Sequence, residues 1–128
     1  MAWTGTTEGH YGVYTETLTV ETSDAAGQDL TSSAIDFIPP GTDFVILANT
    51  GATNLSSDAD VAIKVASTSD GTYALLKDDL ITSIDNKVAA ALYDVSAYGE
   101  APYYKIFIDS DGVQKKTDTI GLTILVRK

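Results

Sequence analysis

The chain has 128 residues, 44% of them hydrophobic, and carries 18 acidic against 8 basic side chains, a formal net charge of −10, with no cysteine. That length makes one ordinary domain, able to bury roughly two thirds of the surface its unfolded form exposes. The charge repels phosphate backbones and anionic lipid, and the lack of cysteine excludes disulfides, thiolate chemistry and cysteine-bound zinc.

No apolar run approaches the roughly 20 residues of a bilayer span. The start, Met-Ala-Trp-Thr-Gly-Thr-Thr-Glu-Gly-His, has neither the basic nor the apolar region of a secretory signal. The expectation is synthesis in a cytoplasm, with neither nucleic acid nor membrane as a partner. Aspartate far exceeds glutamate, which favours turns over helix interiors, and threonine and valine are frequent, which favours strands.

Residues 1–11 are rich in Gly and Thr, hold the lone tryptophan (Trp3) and histidine (His10), show no apolar periodicity, and read as an N-terminal arm ahead of a domain over 12–128. Such an arm either dangles or docks, and Trp3, with His10 and Tyr11 at its far end, suits docking on a neighbouring subunit. Gly12 to Glu21 alternates as a strand. A short strand is expected over Ala34 to Ile38, closed by Pro39-Pro40-Gly41. Phe44 to Ala48 is an unbroken apolar run, the pattern of a strand covered on both sides. Asn49 to Asp60 is a long polar loop suited to a contact surface.

Val61 to Ala66 and Thr72 to Leu76 flank Ser69-Asp70-Gly71, a hairpin signal. Asp78-Asp79 is expected to end that pair. From Leu80 to Val95, Val88, Ala90 and Leu92 alternate as a strand, although Asp85-Asn86 could instead cap one helical turn. The stretch Tyr93 to Asp109 carries four tyrosines and then a clear strand, with Tyr104, Ile106 and Ile108 on its apolar face. Thr119 to Arg127 repeats that alternation through Ile120, Leu122, Ile124 and Val126, and Asp109-Ser-Asp-Gly112 between the two suggests a hairpin. Seven or eight short strands without a long helix predict a single all-β antiparallel β-sandwich, jelly-roll-like or immunoglobulin-like.

Chemistry is hard to place on this chain. A single histidine in an arm supports neither a Ser-His-Asp triad nor a histidine-zinc site. The carboxylate pairs Asp58/Asp60, Asp78/Asp79 and Asp109/Asp111 fall in predicted turns, where solvated aspartates are ordinary. Asp109-Ser-Asp-Gly matches the opening of a calcium loop, but Val113-Gln114-Lys115-Lys116 lacks the remaining ligands. No phosphate-binding glycine loop is present. The expectation is a non-enzyme with no catalytic residue, metal or cofactor. Tyr98 and Tyr103 join Trp3, His10 and Tyr11 as partner-contact candidates, for a protein surface or for sugar stacking.

The order Val-Ala-Ile-Lys-Val-Ala-Ser-Thr-Ser-Asp-Gly-Thr-Tyr (61–73), Tyr-Asp-Val-Ser-Ala-Tyr-Gly-Glu-Ala-Pro-Tyr-Tyr-Lys-Ile (93–106), a short Asp-Gly turn and a last Val/Ile/Leu strand resembles virion structural proteins of tailed bacteriophages. The similarity spans roughly residues 43–128 and is most like the head decoration, or cement, proteins. It implies a protein bound in many copies to the major capsid protein on the outside of a phage head, made in the bacterial host cytoplasm, and self-associated, with a trimer favoured. A neck, tail or fibre component, or a carbohydrate-binding β-sandwich module, stands as the alternative.

Overall fold

Side-chain alternation sets the architecture. The computed structural model describes residues 3–20, 30–51, 55–112, 114 and 118–127. Among these residues the strands are β1 (Thr4–Glu8), β2 (Tyr11–Thr19), β3 (Leu30–Thr31), β4 (Phe44–Asn49), β5 (Ala59–Ala66), β6 (Ala74–Ile81), β7 (Val88–Tyr93), β8 (Tyr103–Ser110) and β9 (Thr119–Arg127), with one helical turn, α1 (Val95–Tyr98). A five-stranded sheet runs β1-β2-β9-β4-β7 and a four-stranded sheet runs β3-β8-β5-β6, every pairing antiparallel.

From β2 onward the chain crosses between the sheets at every connection except β5 to β6. Strands β2 to β9, four to each sheet and wound in this way, make a jelly roll; the immunoglobulin arrangement, with its different division of strands, is not the one adopted. The expected β-sandwich is present, with more short strands than the sequence pattern reveals.

The core lies between the sheets. Phe44, Ile46, Leu122 and Ile124 from the larger sheet meet Val61, Ile63, Ile106 and Ile108 from the smaller one, all essentially without solvent exposure. At one end Tyr93 stacks on Phe44 with centroids 4.8 Å apart, and Tyr104 meets Phe44 edge-on at 5.3 Å. Their hydroxyls find backbone partners: Tyr93 Oη donates to the Gly99 carbonyl at 2.6 Å, and the Ala101 N–H donates to Tyr104 Oη at 3.1 Å. Burial first, then the neighbouring Tyr104 and Tyr98, pushes the Tyr93 phenol far above its ordinary pKa.

Several expectations change. Residues 4–8, expected as an arm that dangles or docks, form an edge strand closed onto β2 by the two-residue turn Gly9-His10 between the paired Glu8 and Tyr11. Gly9 has φ of +60°, as the first central residue of a primed turn requires, while His10 does not share it. Trp3 docks on its own chain, its indole N–H donating to the Ser33 carbonyl at 3.1 Å and its ring meeting Phe37 edge-on. β8 and β9 form no hairpin: β8 pairs with β3 and β5, β9 with β2 and β4. Each has one apolar face, and the two faces meet across the core from opposite sheets.

The strand expected over Ala34 to Ile38 lies earlier, at Leu30–Thr31, leaving only the Ile35–Tyr104 bridge inside that range. β6 does not stop at Asp78-Asp79; it continues to Ile81 through register shifts opposite Val61 to Lys64, with Asp79 at φ of +48°. The alternating segment at 88–92 is a strand. The helical turn falls after it, where Asp94 accepts hydrogen bonds from the Ser96 and Ala97 N–H groups. The loop from Asn49 to Asp60 is anchored at its described residues: Leu55 is buried, Thr50 Oγ1 donates to the Ile84 carbonyl, and the Leu55 N–H donates to Asp85 Oδ1 at 2.8 Å.

Candidate interaction surfaces

Strand β4 carries the first signal. Its residues alternate between buried Phe44, Ile46 and Ala48 and half-buried Val45 and Leu47. Only one side is covered by the other sheet, although both sides are apolar. Cross-strand registers place Val13, Leu125, Val45 and Leu92 in one row over β2, β9, β4 and β7. The adjacent row is Thr4, Thr15, Thr123, Leu47 and Ala90, and the next brings Asn49 beside Val88.

Among the described residues the outer face of the five-stranded sheet is therefore free of charge except at one rim, where Arg127 pairs with Tyr11, Tyr11 with Glu8, and the exposed Asp43 lies close by. It is the more conspicuous in a chain of net charge −10. Val88 and Leu92 remain 59% and 53% exposed. At the rim a depression of ≈ 430 Å³ is lined by Tyr11, Asp43, Val45, Leu92, Leu125 and Arg127 together with neighbouring residues of the 41–44 segment.

The opposite outer face, on the four-stranded sheet, differs in kind. Lys64 and Lys105 stand directly opposite one another on β5 and β8. Like charges so placed repel, and each ammonium is held over a ring: Lys64 Nζ lies 3.7 Å from the Phe107 centroid, Lys105 Nζ 4.5 Å from that of Tyr73. Tyr103 pairs with Ala66 in the adjoining row. Burial first, then Tyr103 and Asp70, raises the Tyr73 phenol above its ordinary pKa. The result is an aromatic platform carrying two cations.

A third cluster closes one side of the sandwich. Tyr14 stacks on Phe37 at 3.7 Å, and a side chain at Gly5 would lie only 2.7 Å from the Tyr14 ring, so β1 accepts that ring because residue 5 has none. Glu16 is buried beside it and clamps the 32–35 segment. Its two carboxylate oxygens accept from the Ser33 N–H at 2.9 Å and the Ser33 hydroxyl at 2.7 Å.

The sequence-derived contact residues do not converge. His10 and Tyr11 sit exposed at the β1–β2 turn, Tyr11 on the rim of the uncharged face. Tyr103 lies on the aromatic–lysine face, Tyr98 packs at the corner against Tyr93, and Trp3 belongs to the third cluster. Val45, Leu47, Leu92 and Leu125 carried no sequence signal of a site. The one available hint was the unbroken apolar run through β4.

The carboxylate pairs are structural or solvated. Asp58 accepts from Ser83 Oγ at 2.6 Å and from the Ala59 and Asp85 N–H groups, and Asp60 accepts from the Ser83 N–H. Burial alone would raise the Asp58 pKa, but these hydrogen bonds and the Lys87 charge outweigh it and hold the carboxyl below its ordinary value. Asp78, Asp79, Asp109 and Asp111 are exposed. Among the described residues no cluster of three His, Cys, Asp or Glu side chains is arranged to hold a metal ion, and no helix is long and apolar enough to cross a membrane.

No protein-family model and no curated protein matches this chain. Solved structures similar to it include IMPa from Pseudomonas aeruginosa in complex with an O-glycopeptide, at 12% identity and a TM-score of 0.44. That match covers 90% of this chain but only 12% of IMPa. The CBM22-1 xylan-binding domain of Paenibacillus barcinonensis Xyn10C is 16% identical with a TM-score of 0.44, covering 98% of this chain and 86% of that one. The coat protein of Tobacco streak virus is 12% identical with a TM-score of 0.35, covering 96% and 90%. The protein is an all-β sandwich, wound as a jelly roll, with a face of apolar and threonine side chains charged only at its rim on one sheet and an aromatic–lysine face on the other.

Proposed function

We propose that this is a non-enzymatic structural protein that coats an assembled protein shell, as a head decoration protein of a tailed phage does, docking through the outer face of its five-stranded sheet. One observation carries the reading: β4 is apolar on both sides, yet only one side is covered within the chain. Antiparallel strands with one solvated face ordinarily alternate apolar with polar residues, and a partner covering the outer side accounts for the unbroken apolar run of β4. Val45, Leu92 and Leu125 are its centre, and Tyr11 with Arg127 forms an amphipathic rim of the kind protein interfaces favour. The resemblance of residues 43–128 to cement proteins names the class of partner, the major capsid protein. The strong negative charge suits a protein that works beside packaged DNA without binding it. Repetition over a symmetric shell lets modest contacts add up to firm attachment.

The direct test is binding of the purified protein to shells stripped of it, compared with a Leu92→Asp, Val45→Asp double variant. The wild type is expected to bind to saturation and the variant, still folded, to fail. Equal binding by both would refute the assignment of the face.

The aromatic–lysine face favours a second reading, a carbohydrate-binding module. Tyr73, Tyr103 and Phe107 offer rings for sugar stacking, and Lys64 and Lys105 offer donors. A glycan array decides it: specific binding lost in a Tyr73→Ala, Tyr103→Ala variant supports this reading, and an empty array removes it. Tyr104 is unsuitable for that test, because it is buried in the core.

A further inference from the structure

We infer that the protein pairs with a second copy of itself through the free edge of β7, joining two five-stranded sheets into one across a two-fold axis. The argument begins with the direction of the backbone groups. The Thr50 N–H donates to the Lys87 carbonyl at 3.0 Å, one step beyond the paired Asn49 and Val88. Hydrogen-bonded pairs alternate along an antiparallel ladder, so residues 87, 89, 91 and 93 turn their backbone groups toward β4. Val88, Ala90 and Leu92 turn theirs outward. β7 is the last strand of its sheet, and among the described residues those outward groups have no hydrogen-bond partner.

The other sheet edges are short, bent or charged; β7 is none of these, although β6 of the opposite sheet lies near it without pairing to it. β6 is bent by register shifts, has Asp79 at φ of +48°, and carries Lys77, Asp78 and Asp79. β3 is only two residues long, and β1 is short, fully exposed and carries Gly5 and Glu8. β7 is six regular residues, Val-Ala-Ala-Ala-Leu-Tyr, without charge, proline or bulge. An edge of that kind is a template for another strand.

The occupant is a second copy because β7 is its own complement. With Ala90 on the axis opposite Ala90 of the other copy, Val88 faces Leu92 and Leu92 faces Val88, and all of these are the residues whose backbone groups point outward. Each pair exchanges two N–H···O=C bonds. Val88 and Leu92, the most exposed side chains on the strand, then cover each other on the same face, while alanine at the axis leaves room for close approach. Such a contact is isologous and closes at two, in place of the trimer that the resemblance implies. It stands whether or not the outer face binds a shell, and it would merge two uncharged faces into one.

Sedimentation equilibrium of the full chain tests it, together with Ala90→Lys, which sets two ammonium groups against each other at the axis without touching a β4 bond. The wild type is expected to be a concentration-dependent dimer and Ala90→Lys a monomer with unchanged circular dichroism. A wild type that stays monomeric, a trimer, or a dimer indifferent to Ala90→Lys would each overturn the inference. Amide hydrogen exchange on the wild type gives a reading that needs no variant. Val88, Ala90 and Leu92 should become protected as protein concentration rises, and fast exchange at every concentration would also overturn it.

Discussion

Single side chains hold this sandwich at the places where the strands do not. Glu16 is the clearest, a buried carboxylate that fixes Ser33 by both its N–H and its hydroxyl. Glu16→Ala leaves those donors without an acceptor and should cost about 1–3 kcal/mol in a denaturant melt. Asp58 does the same for the 83–85 turn and adds a pH dependence. Its folded pKa lies below the ordinary 3.8, so its stabilisation is complete above the unfolded value and is lost as pH falls through the folded one. The melting temperature should therefore drop on acidification below about pH 4, and Asp58→Asn should flatten part of that drop; an unchanged slope would show that Asp58 does not contribute to it. None of these contacts was legible in the sequence. Each joins residues far apart in the chain, and a lone Glu or Asp in a strand or turn gives no clue to its partner.

At the scale of elements, period-two alternation was a reliable guide to which residues face the core and a poor guide to which strands are neighbours. The apolar faces of β8 and β9 were visible as Tyr104, Ile106 and Ile108 and as Ile120, Leu122, Ile124 and Val126. Their placement in opposite sheets was not, because alternation fixes a face and says nothing of the partner strand. β1 escaped notice because all five of its residues are exposed, so no apolar pattern marks it; the glycine of the Gly9-His10 turn was the available clue. β4 is legible as a strand, and its continuous apolar run implies cover on both sides, whereas the chain covers one. That mismatch is what identifies the outer face. Substitutions on the two sides of these strands should separate cleanly. Ile124→Asp buries an unpaired charge and should unfold the domain, whereas Thr17→Ser, on the exposed side of β2, should shift stability by no more than about 0.5 kcal/mol. Equal effects of the two in thermal melts would contradict this division of inside from outside.

For the whole molecule, the distribution of charge matters more than its sum. Among the described residues most acidic side chains lie between the strands, two lysines sit on aromatic rings on one face, and the opposite face has charge only at its rim. Net repulsion between copies keeps such a chain from clumping and leaves specific, uncharged surfaces to make the contacts. The proposed shell-coating role calls for that combination: a protein that remains free in solution and then attaches, many times over, to a symmetric surface. The measurement that tests this account most directly is the copy number of the protein in purified virus particles, by quantitative mass spectrometry against the major capsid protein. A fixed, simple ratio to the capsid protein is predicted, because every equivalent site on a symmetric shell should be filled. A trace amount confined to one vertex or to the tail, or none at all, would contradict it.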